Sequence, residues 1–166
     1  MATSTLISTA EYLRASFANP EPDFVDGEVM ERSVPNYLHS RIQLRLGYAL
    51  KPWDDLGQLF GAPEIRLRVA PDRFRVADFA VFASAQEELI PRDAPYAVVE
   101  IVSPDDRFED LMSKLVDYEE SGVEFVFVAD PMVKRLSRYR RGDLISVAAM
   151  ELPAYQAVIP VSSIFG

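Results

Sequence analysis

Two carboxylates stand alone inside runs of sequence that otherwise read as fully buried strands, and this restricts the fold more tightly than any other feature. Asp78 lies within Phe74–Phe82 (FRVADFAVF) and Glu100 within Tyr96–Val102 (YAVVEIV). Both runs are rich in β-branched and aromatic residues, the pattern of strands covered on both faces. An ionised carboxylate in such a place costs several kcal/mol unless a cation, a metal or good hydrogen-bond donors meet it. Two such costs in neighbouring strands indicate a site, and a hard divalent cation with oxygen ligands is a partner that answers both.

The 166 residues suit one domain, 1–166, large enough for its own hydrophobic core at about residues 22–142. Without cysteine there is neither a disulfide framework nor a zinc–thiolate site. The N-terminal stretch MATSTLISTAEYLRASF lacks the basic flank and continuous apolar run of a secretory signal. No apolar run reaches membrane-spanning length, so the expectation is a soluble cytoplasmic protein without membrane contact. The net charge of −9 works against nucleic-acid binding through bulk electrostatics, although a local basic cluster can serve within an acidic chain. Lys134, Arg135, Arg138, Arg140 and Arg141 make such a cluster, and a solvated hairpin accounts for it more simply.

The order of elements predicts an α/β domain with a mixed sheet flanked by helices. Ser8 or Thr9 caps a short helix to about Phe17, and Asp26-Gly27 turns a hairpin between Phe24–Val25 and Glu28–Arg32. A longer helix runs from about Asn36 to Trp53, with Leu38, Ile42, Leu46, Ala49, Leu50 and Trp53 at helical spacing and Pro52 at its break. Glu64–Val69 and Phe74–Phe82 pair around Ala70–Arg73; Tyr96–Val102, a helix over Asp106–Ser121 and Phe125–Ala129 follow as a parallel crossover. Leu136–Arg140 and Leu144–Met150 form a last hairpin, and Ala157–Val161 a further strand.

Lys114 is the third member of the constellation. On its helix, Phe108, Leu111, Leu115 and Tyr118 make the apolar stripe, and Lys114 projects within that stripe. A lysine there either snorkels past its neighbours or meets a negative group. Strand alternation puts Phe74, Val76, Asp78, Ala80 and Phe82 on one face, and Val98, Glu100 and Val102 on one face of the next strand. In register, the two carboxylates would hold one cation between them, which would lower the pKa of a bound water and neutralise charge on a phosphate. Lys114 would support the same charge.

The stretch Val99–Pro131 (VEIVSPDDRFEDLMSKLVDYEESGVEFVFVADP) resembles the bacterial "putative restriction endonuclease" domain family (Uma-type), placed in the PD-(D/E)XK nuclease superfamily. The matching positions are Glu100, Ser103-Pro104, Asp106-Arg107, Lys114, Tyr118, Gly122-Val123 and Asp130-Pro131, with Asp26-Gly27-Glu28, His39-Ser40 and Asp78 upstream in the family's order. The resemblance implies a restriction-endonuclease-like core with Asp78 and Glu100 as ligands of Mg2+ (or Mn2+). The superfamily's lysine normally stands two residues after the glutamate, where this chain has Val102; Lys114 fits variants in which it has moved to the following helix. Ala77 replaces the proline that usually precedes the aspartate.

Each residue also has a plainer explanation. Asp78 and Glu100 would be satisfied by backbone donors or by arginines such as Arg66 and Arg75, and Lys114 would be a structural ion pair to Glu100. His39, the only histidine, reads as a packing residue that could line the cleft; Glu64 reads as facing water, with assistance to the metal as the other option; Tyr118 reads as a packed tyrosine whose hydroxyl reaches the cleft rim. The expected activity is magnesium-dependent endonucleolytic hydrolysis of phosphodiester bonds in DNA or another nucleic acid, by a homodimer. The alternatives are a catalytically inactive module of the same fold that oligomerises and binds a protein or nucleic-acid partner, and a hydrolase of another phosphate-containing substrate.

Overall fold

The strand Arg73–Phe82, β4 in chain order, organises the molecule: nine of its ten residues are buried. The computed structural model describes residues 6–166. One edge of β4 is occupied along its length by β3 (Phe60–Ala70), antiparallel, from Phe60 opposite Phe82 to Ala70 opposite Arg73. Two strands share the other edge. β1 (Asp23–Val25) pairs with Arg73 and Phe74, and β5 (Ala97–Ile101) pairs with Phe79, Ala80 and Val81. Between them, among the described residues, no strand pairs with positions 75–78 on that edge. Asp78 lies in this gap.

The sheet continues from β5 to the parallel β6 (Phe125–Asp130), then the antiparallel β7 (Arg135–Arg140) and β8 (Asp143–Val147); β2 (Glu28–Met30) lies outside β1. Alternation along the central strands builds a core on each face. Phe79, Val81, Val99, Ile101 and Phe127 meet Ile42, Leu46 and Leu50 of α2 (Tyr37–Asp55). Ala80, Val98, Val126 and Val128 meet Leu115 and Tyr118 of α3 (Phe108–Glu120). Each Val, Leu, Ile or Phe side chain among them contributes about 1.5–3 kcal/mol when fully withdrawn from water, so the helices are held by these faces more than by their own propensities. Among the described residues no helix is long and apolar enough to cross a membrane.

Helix α1 (Thr9–Arg14) is opened by a reciprocal capping box between Ser8 and Glu11, and it buries Tyr12 against Phe24 and Phe74. It ends at Arg14, short of Phe17, with Ala15 extended.

Several local expectations are corrected. Helix α2 continues through Pro52 to Asp55. Pro52 and Tyr48 are on the exposed side, where water can serve the Tyr48 carbonyl that loses its helical donor. The buried stripe of α2 runs through His39, Ile42, Leu46 and Leu50, and Leu38 faces outward. Phe108 is exposed at the start of α3 and takes no part in its apolar face. The run Leu144–Met150 divides between β8 and β9 (Ala149–Leu152). β9 pairs with β10 (Ala157–Pro160) in a separate two-stranded sheet, and α4 (Val161–Phe165) follows. Met150, Leu152, Ile159 and Ile164 extend the core on the α2 side.

Candidate active site

The gap on β4 is filled by side chains that replace the missing strand. Val76 donates its amide to Asp23 Oδ1 at 2.8 Å and accepts Lys114 Nζ at its carbonyl at 2.7 Å. The Asp78 amide faces Glu100 Oε1 at 3.4 Å, and the Asp78 carbonyl accepts Gln43 Nε2 at 2.9 Å. Buried backbone groups must be paired. Leaving this edge open therefore commits specific polar side chains to it, from the flanking strands β1 and β5 and from the helices α3 and α2.

The β4–β5 register sets Phe79 opposite Val99, and one further step brings Asp78 beside Glu100. Both carboxylates are buried. Asp78 Oδ2 accepts the Ile101 amide at 2.7 Å, and Oδ1 accepts Arg32 Nη2 at 2.7 Å. Glu100 Oε2 accepts Lys114 Nζ at 2.9 Å, while Oε1 accepts the Tyr118 hydroxyl at 2.8 Å. Burial, then the neighbouring charge of Asp78, pushes the Glu100 carboxyl up to about 7, against the pull of Lys114. Burial alone would lower the Lys114 ammonium; Asp23, Glu100 and Asp78 outweigh it and raise its pKa, so it stays charged.

A second group adjoins Asp78. Arg32 reaches Glu64 Oε2 with Nη1 at 2.8 Å, and Gln43 donates to Glu64 Oε1 at 2.7 Å. His39 Nε2 lies 3.4 Å from Glu64 Oε1 and 3.6 Å from Asp78 Oδ1. Asp78 is beyond hydrogen-bond reach and Glu64 is near its limit without a hydrogen bond, so this nitrogen has no hydrogen-bond partner among the described residues. Burial works to lower the His39 pKa, but the two carboxylates prevail and raise it. For Glu64, burial works upward, and His39 and Arg32 overcome it to hold the carboxyl at about 2.

Beneath Lys114 lies a supporting chain. Asp23 Oδ2 is 4.0 Å from Lys114 Nζ and 3.3 Å from Arg75 Nη1, and Arg75 Nε donates to Asp117 Oδ2 at 2.6 Å. These charges are compensated pairwise, which fixes Lys114 laterally. Asp78, Glu100, Lys114 and His39 line one cleft of about 220 Å³, whose mouth is edged by Asp105, Asp106 and Arg107.

Asp78, Glu100 and Lys114, expected to converge, are brought together. His39 lines the same cleft. Tyr118 is fully buried beneath Glu100 and does not reach the rim. Glu64, expected to face water, is bound into the Asp78 group by Arg32 and Gln43, with its side chain 35% exposed. Arg66 and Arg75 do not satisfy Asp78: Arg66 pairs with Glu21, Arg75 with Asp23 and Asp117, and Arg32 takes that place. The basic cluster at 134–141 lies on β7 and its turns, with Arg138 stacked on Phe125, and does not line the cleft. Arg32, Gln43 and Asp23 are unannounced in the sequence. Asp117 carries a signal, since it follows Lys114 by three residues and shares its helix face.

A family model described as "Putative restriction endonuclease" (Uma2) matches residues 9–162. The structure is similar to the crystal structure of a putative nuclease belonging to DUF820 from Anabaena variabilis, with a TM-score of 0.84 at 20% identity, over 96% of this chain and 97% of that chain. At that identity the likeness shows the shared fold. A cryo-EM structure of a DrdV–DNA complex aligns with a TM-score of 0.39 at 13% identity, over 66% of this chain and 12% of that one. No curated protein matches the chain.

Proposed function

This chain belongs to the Uma2 family, and on that premise we propose that it is a divalent-cation-dependent nuclease hydrolysing phosphodiester bonds of DNA or another nucleic acid. The observation that carries the proposal is the convergence of Asp78, Glu100 and Lys114 from β4, β5 and α3 at one cleft, with the Glu100 carboxyl raised by its burial and then by the neighbouring charge of Asp78. Perturbed groups of this kind mark functional sites.

The donor set fits a hard cation: two carboxylates beside each other at the sheet gap, both of oxygen type. Asp78 and Glu100 would hold Mg2+ or Mn2+, which when bound supplies Lewis acidity toward a phosphoryl oxygen and an activated water. Lys114, anchored by the Val76 carbonyl and Glu100, presents a positive charge beside the same position. There it orients a nucleophilic water and balances charge building on phosphate. Tyr118 holds Glu100 from below and fixes its rotamer. A second copy would pair along the outer edge of β8, where Ile145 is exposed.

The experiment is DNA binding in Ca2+, a hard cation that carboxylate oxygens accept. Wild type is expected to bind with an affinity that rises with Ca2+ and falls with salt, and Asp78→Asn to lose the Ca2+ effect. Binding indifferent to Ca2+ in both proteins would refute the proposal and favour a non-catalytic module of the same fold. That second reading has its own support in the internal pairing of both carboxylates, Asp78 by Arg32 and Glu100 by Lys114.

A further inference from the structure

We propose that His39, Glu64 and Asp78 form a cation site of their own, suited to a first-row divalent transition ion such as Mn2+, at which Arg32 serves as an internal stand-in for the ion. The site shares Asp78 with the nuclease reading above but does not require it.

One ligand atom from each of the three residues lies within 4.8 Å of the other two. Ligand distances of about 2.0–2.3 Å let a single ion span that spacing with small adjustments. The cluster does not rest on acidity alone. His39 is 5% exposed, and its Nε2 lies between two carboxylates without a hydrogen bond to either. A buried polar atom left in that state calls for an explanation, and a metal-ligand role supplies one.

The backbone of Glu64 points the same way. Pro63 pairs with Phe79 and Ile65 with Ala77, which sets Glu64 across from Asp78, yet Glu64 itself has φ of +49°. A left-handed residue other than glycine inside a strand costs about 1–2 kcal/mol and persists only where its surroundings hold it. Here they hold it by Arg32 and Gln43 on the two carboxylate oxygens.

Arg32 bridges Glu64 and Asp78 with its two terminal nitrogens, at 2.8 and 2.7 Å, where positive charge is required. It comes from the segment 31–36, which has no regular structure, so its withdrawal breaks no helix or strand. His39 and Asp78 line the cleft of about 220 Å³, and Glu64 lines a neighbouring cavity. The imidazole nitrogen decides which ion. Mg2+ favours oxygen ligands, whereas Mn2+ and the later first-row ions accept nitrogen. The pair Asp78 and Glu100 offers no nitrogen.

The test uses the whole chain without a histidine tag and Mn2+ as probe, read by electron spin-echo modulation. His39 is the only histidine, so a coordinated ¹⁴N signal has one source. The expected result is imidazole ¹⁴N modulation on bound Mn2+, retained in Glu100→Gln and lost in His39→Gln. Mn2+ affinity is expected to fall about tenfold in His39→Gln and Glu64→Gln, with Mg2+ bound about tenfold more weakly than Mn2+ by wild type. Bound Mn2+ without nitrogen modulation in wild type, which needs no variant to fold, would overturn the proposal and place the ion on Asp78 and Glu100. Absence of Mn2+ binding at millimolar concentration would also overturn it. Nitrogen modulation in a protein that cleaves no nucleic acid would sustain this site and refute the nuclease reading alone.

Discussion

Lys114 Nζ donates to Glu100 Oε2 at 2.9 Å from a position 14 residues further along the chain, and the same ammonium caps the Val76 carbonyl at 2.7 Å. One side chain thus closes an open sheet edge and neutralises a buried carboxylate. Removing it leaves the Val76 carbonyl without this donor and the Glu100 charge without its ammonium, with the Tyr118 hydroxyl still on Oε1. Lys114→Ala is expected to lose about 3–5 kcal/mol at pH 8.5, and less at pH 6, where Glu100 can take up a proton. Urea unfolding at the two pH values checks this; equal losses would show that Glu100 is not the group left uncompensated.

Two carboxyl shifts of opposite sign shape the pH dependence of stability, and the raised His39 pKa adds to the loss as pH rises. Glu100, ordinarily at 4.5, titrates at about 7 in the folded protein. The folded state holds this proton more tightly than the unfolded chain, so the contribution is complete below about pH 4.5 and is lost as pH rises through 7. Glu64, held at about 2, contributes above pH 4.5 and loses that contribution as pH falls toward 2. Metal-free wild type is therefore expected to lose on the order of 1–3 kcal/mol between pH 5 and 8 through Glu100. Glu100→Gln should flatten that decline, measured by thermal unfolding across the range.

Tyr118→Phe keeps the ring in the core and deletes one donor to Glu100 Oε1. Loss of a donor to the charged form raises the carboxyl further. The alkaline-going limb of the cleavage profile should move to higher pH, with a stability loss of about 1–3 kcal/mol. An unchanged profile would reduce Tyr118 to packing alone.

The strands bearing Asp78 and Glu100 and the helix bearing Lys114 are legible because each breaks a strong apolar pattern. A buried charge in FRVADFAVF, or on the stripe Leu111–Leu115–Tyr118, conflicts with its surroundings at the level of sequence. What surrounds them is not legible. Arg32 comes from a segment without periodicity, and Glu64 has an ordinary strand setting in sequence although its backbone is left-handed. The gap in β4 depends on two strands meeting one edge, β1 and β5, separated by more than 70 positions from Asp23 to Ala97. In sequence His39 reads as a packing residue, because a lone histidine has no partner there; its place on the buried stripe of α2 goes with Leu38 facing outward.

Arg32→Gln removes the positive charge from Glu64 and Asp78 without filling the cleft. Without metal the variant should be about 3–5 kcal/mol less stable. With saturating Mn2+ its melting temperature should rise more than that of wild type, because the ion no longer competes with a guanidinium. Equal Mn2+ shifts in the two proteins would show that Arg32 and the ion do not share a place.

The central claim is that Asp78, Glu100 and Lys114 form a nuclease site, and the direct measurement is Mn2+-dependent cleavage of single- and double-stranded DNA by purified wild type beside Glu100→Gln and Lys114→Ala. Cleavage by wild type that chelation abolishes, reduced at least about 100-fold in each folded variant, is the predicted result. Cleavage that survives in both variants, or none by wild type while Mn2+ is bound, would contradict it.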